Sequence, residues 1–194
     1  SDADCGRGEE YCLYFYSEKK NDYLRNIGYL GEQLDLYLAY QDIASLWFGI
    51  GQEDNKFQGL DFVIMMAISK VSLPNKFRKD LKKAKRKELS EIWQGDDYSS
   101  IGEVVRFAPS ACNTQPWIVK ADKKQLTVYR YQQPGKRGIM AADKVSYYNR
   151  IDTGIFLLFL EVCLNKEKID FEKNLYHDDG ESREKTKIAE YQLK

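Results

Sequence analysis

The chain has 194 residues, of which 43% are hydrophobic and 13% aromatic, enough for the core of one domain of moderate size or of two merged halves. Its 30 basic and 30 acidic residues balance to a formal charge of zero, which gives no general attraction to nucleic acid or to an anionic membrane. No apolar run approaches the ~20 residues of a membrane-spanning helix, and SDADCGRGEE at the start lacks the basic-then-apolar pattern of a secretory signal.

YCLYFY (11–16) reads as a short buried strand. Asn21 and Asp22 can cap a helix in which Leu24, Ile27, Leu30, Leu34 and Leu38 form a stripe, so the spacing predicts a helix from about 23 to 40. ASLWFGIG (44–51) reads as a glycine-containing turn, and DFVIMMAI (61–68) as a central strand, because it is apolar on both faces. KFRKDLKKAKRKELSEIW (76–93) is basic at first and leads into a short amphipathic piece. GDDYSS (95–100) is turn chemistry, and Ser100 with Glu103 predicts a capping box for a helix ending near Ala108, just before Pro109. WIVK and LTVYRY around ADKK (121–124) predict a hairpin. Residues 132–150 read as polar loop, and IDTGIFLLFLEVCL (151–164), apolar nearly all round except at Glu161, as a buried helix. The charged tail beyond 171 has room for one more strand or helix.

His177 is the one histidine, set in the polar stretch HDDG, where a surface position without chemistry is expected. A lone histidine far from any cysteine motif argues against a zinc site and against a Ser-His or Cys-His nucleophile pair. If the chain is an enzyme, its hard chemistry belongs to a bound cofactor, with no catalytic side chain and no metal ligand to name. The four cysteines, Cys5, Cys12, Cys112 and Cys163, form no CxxC and read as reduced thiols of a cytoplasmic protein. The chain also resembles itself at an offset that sets Gly28 on Gly154, Asn26 on Asp152, Leu34 on Leu160 and Leu38 on Leu164, with an aromatic-rich strand ahead of each helix. Chance matching of helical stripes and a duplicated strand-helix unit both produce such a pattern; duplication gives one domain over 1–194 built from half-units of about 1–95 and 96–194.

Residues 107–117 read FAPSACNTQPW. Pro109 and Pro116 stiffen the stretch, while Ser110, Asn113 and Gln115 place short neutral hydrogen-bonding groups between them. The stretch resembles the flavin-binding signature of the nitroreductase family, approximately A-P-S-x-x-N-x-Q-P-W. NIGYLGEQLDLYLAYQDIASLWFG (26–49), FVIMMAISK (62–70) with KRKELSEI (85–92), and RIDTGIFLLFL (150–160) resemble further segments of that family, the last a D-x-G helix of a bacterial and archaeal subgroup. The resemblance covers roughly residues 11 to 164. It implies an α+β fold with a mixed, mainly antiparallel sheet flanked by helices, and an internal pseudo-dimer or a homo-oligomer. It implies FMN as cofactor, bound by Pro109, Ser110, Ala111, Asn113 and Gln115, with Arg86 and its weaker companion Lys85 at the phosphate, where a planar guanidinium suits an oxyanion. Leu46, Trp47 and Gly49 belong to the candidate set through the turn after the first helix, although Asp42 and Ala44 stand where relatives carry glycine. Trp117 falls outside the contact set and is expected in the core. Cys112 is expected as a buried inert thiol, the alternative being a place at the substrate mouth. The family's arginine-rich opening, roughly R-R-S-x-R, has no counterpart before YCLYFY, since Arg7 stands alone there.

The implied activity is reduction of an electron-poor acceptor, such as a nitroaromatic or a quinone, by NADH or NADPH through FMN. Two alternatives remain at this point. One is a non-catalytic flavin-binding or flavin-storing member of the same fold. The other is an anion or nucleic-acid module centred on the basic run 76–87, where a solvated face is the ordinary explanation and where the lack of interleaved aromatics after Phe77, in a chain of zero net charge, makes nucleic acid the poorer partner.

Overall fold

The computed structural model describes residues 9–51, 57, 59–70, 84–133 and 140–194. Helix α1 spans Tyr23–Tyr40, the range that its leucine stripe predicts. It enters through Asp22, a left-handed residue (φ 60) that makes no side-chain cap bond. The Asp22 carboxylate instead pairs with Arg25 at 3.2 Å and accepts the Asp178 N–H at 3.0 Å, which ties the start of the helix to the far end of the chain. His177 bonds the same carboxylate at 3.1 Å with its ring about half exposed.

Strands β1 (Tyr11–Ser17), β2 (Ile43–Phe48) and β3 (Asp61–Lys70) form an antiparallel sheet in the order β1-β3-β2. The central place of β3 follows from its buried run Val63 to Ala67. β1 lies at an edge and is half-buried, where a buried strand was expected. Residues 43–48 are also strand and not the expected turn. Gly49 and Gly51 close β2; within it Trp47 stacks on Phe15 (5.7 Å between centroids) and covers Gly31 of α1. Packing against a helix holds this edge extended despite its weak alternation.

After α2 (Leu89–Ile92), strands β4 (Trp93–Gln94), β5 (Trp117–Asp122), β6 (Gln125–Arg130), β7 (Phe171–Leu175) and β8 (Thr186–Leu193) form a second sheet in the order β4-β5-β6-β8-β7. Only the short β4–β5 pair is parallel in it. The class is therefore the expected α+β, with the mainly antiparallel pairing divided between two sheets. The predicted hairpin is β5–β6. The tail supplies two strands where one element was expected, because β7 and β8 pair as a hairpin completing the sheet edge.

Helix α3 spans Ser99–Val105 and ends ahead of Pro109, but its capping residue is Tyr98, left-handed at φ 55, so the box expected from Ser100 and Glu103 does not form. Glu103 instead pairs with Arg106 at 2.8 Å. A capping box does form at α2, between Glu88 and Glu91. Helix α4 spans Val145–Lys166 and thus begins inside the stretch read as polar loop. Its first turns carry Tyr147, Tyr148, Asn149 and Arg150, polar enough to hide a helical stripe.

α1 and α4 cross at two glycines. A Cβ on Gly28 would lie 2.0 Å from the Ile151 carbonyl oxygen, and one on Gly154 would lie 2.0 Å from that of Arg25. Each glycine thus faces the carbonyl three residues before the other, a reciprocal contact that any side chain would push apart. The strands around the two helices also correspond: β1-α1-β2-β3 pairs as β1-β3-β2, and β6-α4-β7-β8 pairs as β6-β8-β7. The main core gathers Ile151, Ile155, Phe156 and Leu160 of α4 with Val119, Val128 and Ile188 of the second sheet and Leu24 and Ile27 of α1. Trp117 is fully buried there, stacked on Phe156 at 4.7 Å, as expected.

Candidate functional site

The signature stretch forms a tight loop between α3 and β5, with a single 3₁₀ turn at Ala111–Asn113. Three non-glycine residues take positive φ: Cys112 (50), Asn113 (57) and Gln115 (49). L-residues rarely adopt this region, and such strain persists only where surrounding bonds over-determine it. Those bonds come from three sides. Within the loop, Gln115 N–H donates to Ser110 Oγ at 3.0 Å, and its Nε2 donates to the Asn113 carboxamide oxygen at 3.2 Å.

The second side is the segment just before α2. Arg86 donates from Nη1 to Asn113 Oδ1 at 3.0 Å and from Nη2 to the Phe107 carbonyl at 3.3 Å. The Lys85 carbonyl accepts Asn113 Nδ2 at 3.0 Å. Lys87, which sequence reasoning passed over, holds more of the loop than either neighbour. Its N–H donates to Gln115 Oε1 at 2.8 Å, and its ammonium donates to the carbonyls of Thr114 (3.1 Å) and Gln115 (2.9 Å) and to the Tyr131 hydroxyl (2.5 Å). Among the candidates in this half, Arg86, Lys85, Asn113 and Gln115 thus meet side by side, although 27 residues separate Arg86 from Asn113. Gln115 is buried with its amide bonded inside the protein, whereas Asn113 and Cys112 are exposed. The exposed Cys112 corrects the expectation of a buried thiol. Cys12 and Cys163 are likewise free thiols.

The third side is α4. Asp152 accepts the Ala111 N–H at 2.8 Å and the Thr114 hydroxyl at 2.9 Å. Asn149, one turn earlier, donates to Thr114 Oγ1 at 3.5 Å and exchanges bonds with the backbone of Gln133, accepting at 2.7 Å and donating at 3.2 Å. Burial pushes the Asp152 carboxyl up to about 7, against the opposing pull of the Ala111, Thr114 and Asn149 bonds. Sequence reasoning met Asp152 only through its D-x-G spacing and its alignment with Asn26, and gave it no role in the site.

The remaining candidates, Leu46, Trp47 and Gly49, sit on β2 and its exit, and Gly49 meets Tyr148 of α4. The Tyr148 hydroxyl donates to the Gly49 carbonyl, and its phenol lies close enough to Cys112 for the two to interact electrostatically. Trp47 itself turns toward α1, donating its indole N–H to Glu32 at 3.1 Å, while Leu46 is exposed. Tyr148 was hidden by the loop reading of 132–150. Most of the basic run 76–87 lies outside the described residues, as do Cys5 and Arg7.

A polar-edged planar ring with an anionic tail needs neutral donors and acceptors along one edge, a stiff wall and one cation. The loop meets that description in kind: amide and hydroxyl groups on a proline-bounded segment, an exposed face at Cys112 and Asn113, and the Arg86 guanidinium at its rim. Because Arg86 and Asn113 already bond each other, a ligand contact at either would replace an existing bond.

Comparison with known proteins agrees with this architecture. A family model described as putative TM nitroreductase matches residues 6–163. A crystal structure of a putative nitroreductase from Thermotoga maritima superposes with a TM-score of 0.60 at 19% identity, covering 94% of this chain and 69% of that one. No curated protein matches.

Proposed function

Because this chain belongs to the putative TM nitroreductase family, we propose that it is an FMN-dependent oxidoreductase that uses NADH or NADPH to reduce an electron-poor aromatic acceptor. Family and fold support an oxidoreductase role; the finer reading rests on the 109–115 loop. Its supporting observation is the convergence of two cationic residues, Arg86 and Lys85, on the strained loop around Asn113, whose own polar side chains are neutral. FMN supplies two-electron transfer between nicotinamide and acceptor when bound, and the chain supplies binding and orientation. Ser110 and Asn113 would hold the ring edge or the ribityl hydroxyls, with Pro109 and Ala111 as wall and Arg86 at the phosphate. Gln115 shapes the loop from inside. Gly49, Trp47 and Leu46 would close the opposite side through the Tyr148 bridge, with Cys112 at the mouth. The same proposal takes the chain as two related half-units, supported by the matching strand orders and the reciprocal glycine crossing.

Fluorescence-quenching titration with FMN and riboflavin tests this reading. Wild-type protein is expected to bind FMN more tightly than riboflavin. Arg86→Ala should weaken FMN by about 1.5–3 kcal/mol, the worth of a charge-assisted bond, and leave riboflavin nearly unchanged, since riboflavin has no phosphate. Arg86 also supports Asn113 and the Phe107 carbonyl, so equal losses for both ligands would reduce it to a structural residue. Absence of binding of either flavin to the wild type would remove the FMN reading altogether.

A further inference from the structure

The loop that carries the proposed ligand cannot hold its shape unaided. Cys112, Asn113 and Gln115 all sit at positive φ without being glycine. Beneath them Asp152 is 2% exposed and spends both oxygens on the loop, one on the Ala111 N–H and one on the Thr114 hydroxyl. These two anchors bracket Cys112 and Asn113. α4 carries Asp152 rigidly, because Gly154 seats the same turn on α1 and Asn149 fastens the preceding turn to Gln133.

We propose that Asp152 is the positioning residue of this site: its carboxylate holds the 110–115 loop in the shape that receives the ligand, and ionisation of that carboxylate tightens the grip. The inference rests on the flavin reading for its ligand but not for its loop geometry. The ionised group offers two acceptors to two donors. The protonated group turns one oxygen into a donor, so the Thr114 hydroxyl must rotate to accept, and neither anchor is charge-assisted any longer. The change falls near neutral pH, because burial holds the carboxyl at about 7. Other ionisable groups surround the loop: Cys112 within it, Lys87 on the Thr114 and Gln115 carbonyls, Arg86 on Asn113, and Tyr148 on α4 beside Cys112. Burial pushes the Tyr148 phenol upward, away from this range.

The sign separates positioning from bulk stability. A carboxyl raised in the fold contributes stability that is complete below its unfolded pKa and lost as pH rises toward 7. Stability from Asp152 therefore falls as pH rises, whereas ligand affinity should rise. Two readouts on the full chain test the proposal. In FMN quenching titrations from pH 5.5 to 8.5, wild-type affinity is expected to increase several-fold, while Asp152→Asn should stay flat and end about tenfold weaker at the upper limit, the loss of one charge-assisted bond. In FMN-free protein, alkylation of Cys112 by iodoacetamide, followed on its own peptide by mass spectrometry, reports the loop directly. The quantity compared is the ratio of the Asp152→Asn rate to the wild-type rate at each pH. It should be near one at pH 5.5 and rise several-fold by pH 8.5.

A ratio that does not change with pH, or an Asp152→Asn affinity profile parallel to wild type, would overturn the proposal. If wild-type protein bound no FMN at any pH, the flavin reading would fail while the alkylation ratio still decided the positioning role. Should Asp152→Asn not fold, Thr114→Val removes the second anchor alone, and the same rise in the Cys112 ratio is expected at smaller size.

Discussion

Replacing Asp178 with alanine is expected to destabilise the protein by about 3–5 kcal/mol, the usual cost of removing one partner from a buried ion pair. Arg130 is completely buried and Asp178 nearly so. The carboxylate takes both Nε–H and Nη2–H of the guanidinium, the second at 2.8 Å, and also accepts the Gly180 N–H at 3.0 Å. Alanine would leave the arginine charge in the interior with, among the described residues, the Ser182 carbonyl at 3.3 Å from Nη2 as the guanidinium's remaining partner. The damage should reach beyond the pair, because the Gly180 carbonyl that this turn presents accepts Gln132 and Ser146, the latter on the first turn of α4. Urea denaturation should show a lower midpoint with an unchanged slope. Arg130→Met combined with Asp178→Leu should recover much of the loss, since a buried pair replaced on both sides by apolar groups is often neutral. A loss below about 1 kcal/mol in Asp178→Ala would mean that water or a rearranged 178–182 turn solvates Arg130.

Glu32 gives the second large effect, and it depends on pH. It lies on the α1 face that packs against β2, 1% exposed, with its carboxylate accepting the Trp47 indole N–H. Burial raises its carboxyl to about 8, the charge of Asp35 one turn along adds to the rise, and the Trp47 bond opposes it. Asp35 is itself raised, by burial first, and takes the Ser45 hydroxyl. Between the unfolded pKa and 8 the folded state binds a proton that the unfolded chain has released. The contribution is therefore complete in acid and lost as pH rises through 8. At 1.36 kcal/mol per pKa unit, wild-type stability should fall by about 4 kcal/mol from pH 5 to pH 8.5 through this group. Glu32→Gln keeps the acceptor for Trp47 and removes the titration. It should match wild type near pH 5 and exceed it by about the same 4 kcal/mol at pH 8.5. Parallel stability-against-pH curves for the two proteins would show that Glu32 is ionised in the fold at both ends.

How far the sequence foretold these features depends on what each feature rests on. Local periodicity sufficed for α1, β3 and the β5–β6 hairpin, whose residues meet one environment along their whole length. It failed at β2, where glycines just past the strand suggested a turn and only contact with α1 and Phe15 keeps the edge extended. It failed again at the start of α4, where Tyr147 and Tyr148 point their hydroxyls to the carbonyls of Val63 on β3 and of Gly49 just past β2. A pattern search cannot see such partners. The same division holds in the site. The 109–115 stretch was conspicuous from its prolines and amides, and Arg86 from the family resemblance. Lys87 looked like one more basic residue among eight, although it is the one whose ammonium grips the loop carbonyls. Long-range hydrogen bonds gave Asp152, Asn149 and Tyr148 their roles, and residue identity alone carries no trace of such bonds.

The crossing of α1 with α4 also bears on how the chain is made. Tyr29 on α1 donates to Glu161 on α4, and the two stand 132 residues apart. A ribosome adding about 5–20 residues per second leaves the first helix waiting many seconds for its counterpart. During that interval the face around Gly28, bare of side chain and shaped for a backbone that does not yet exist, is open to whatever lies near. Such distant closure slows folding, because the loop entropy must be overcome before the contact returns anything. The N-terminal three-stranded sheet can form early, yet its helix acquires a permanent neighbour only when the second half emerges. A nascent chain stalled before residue 154 would thus be a target for chaperones, and release past that point would let both halves consolidate together.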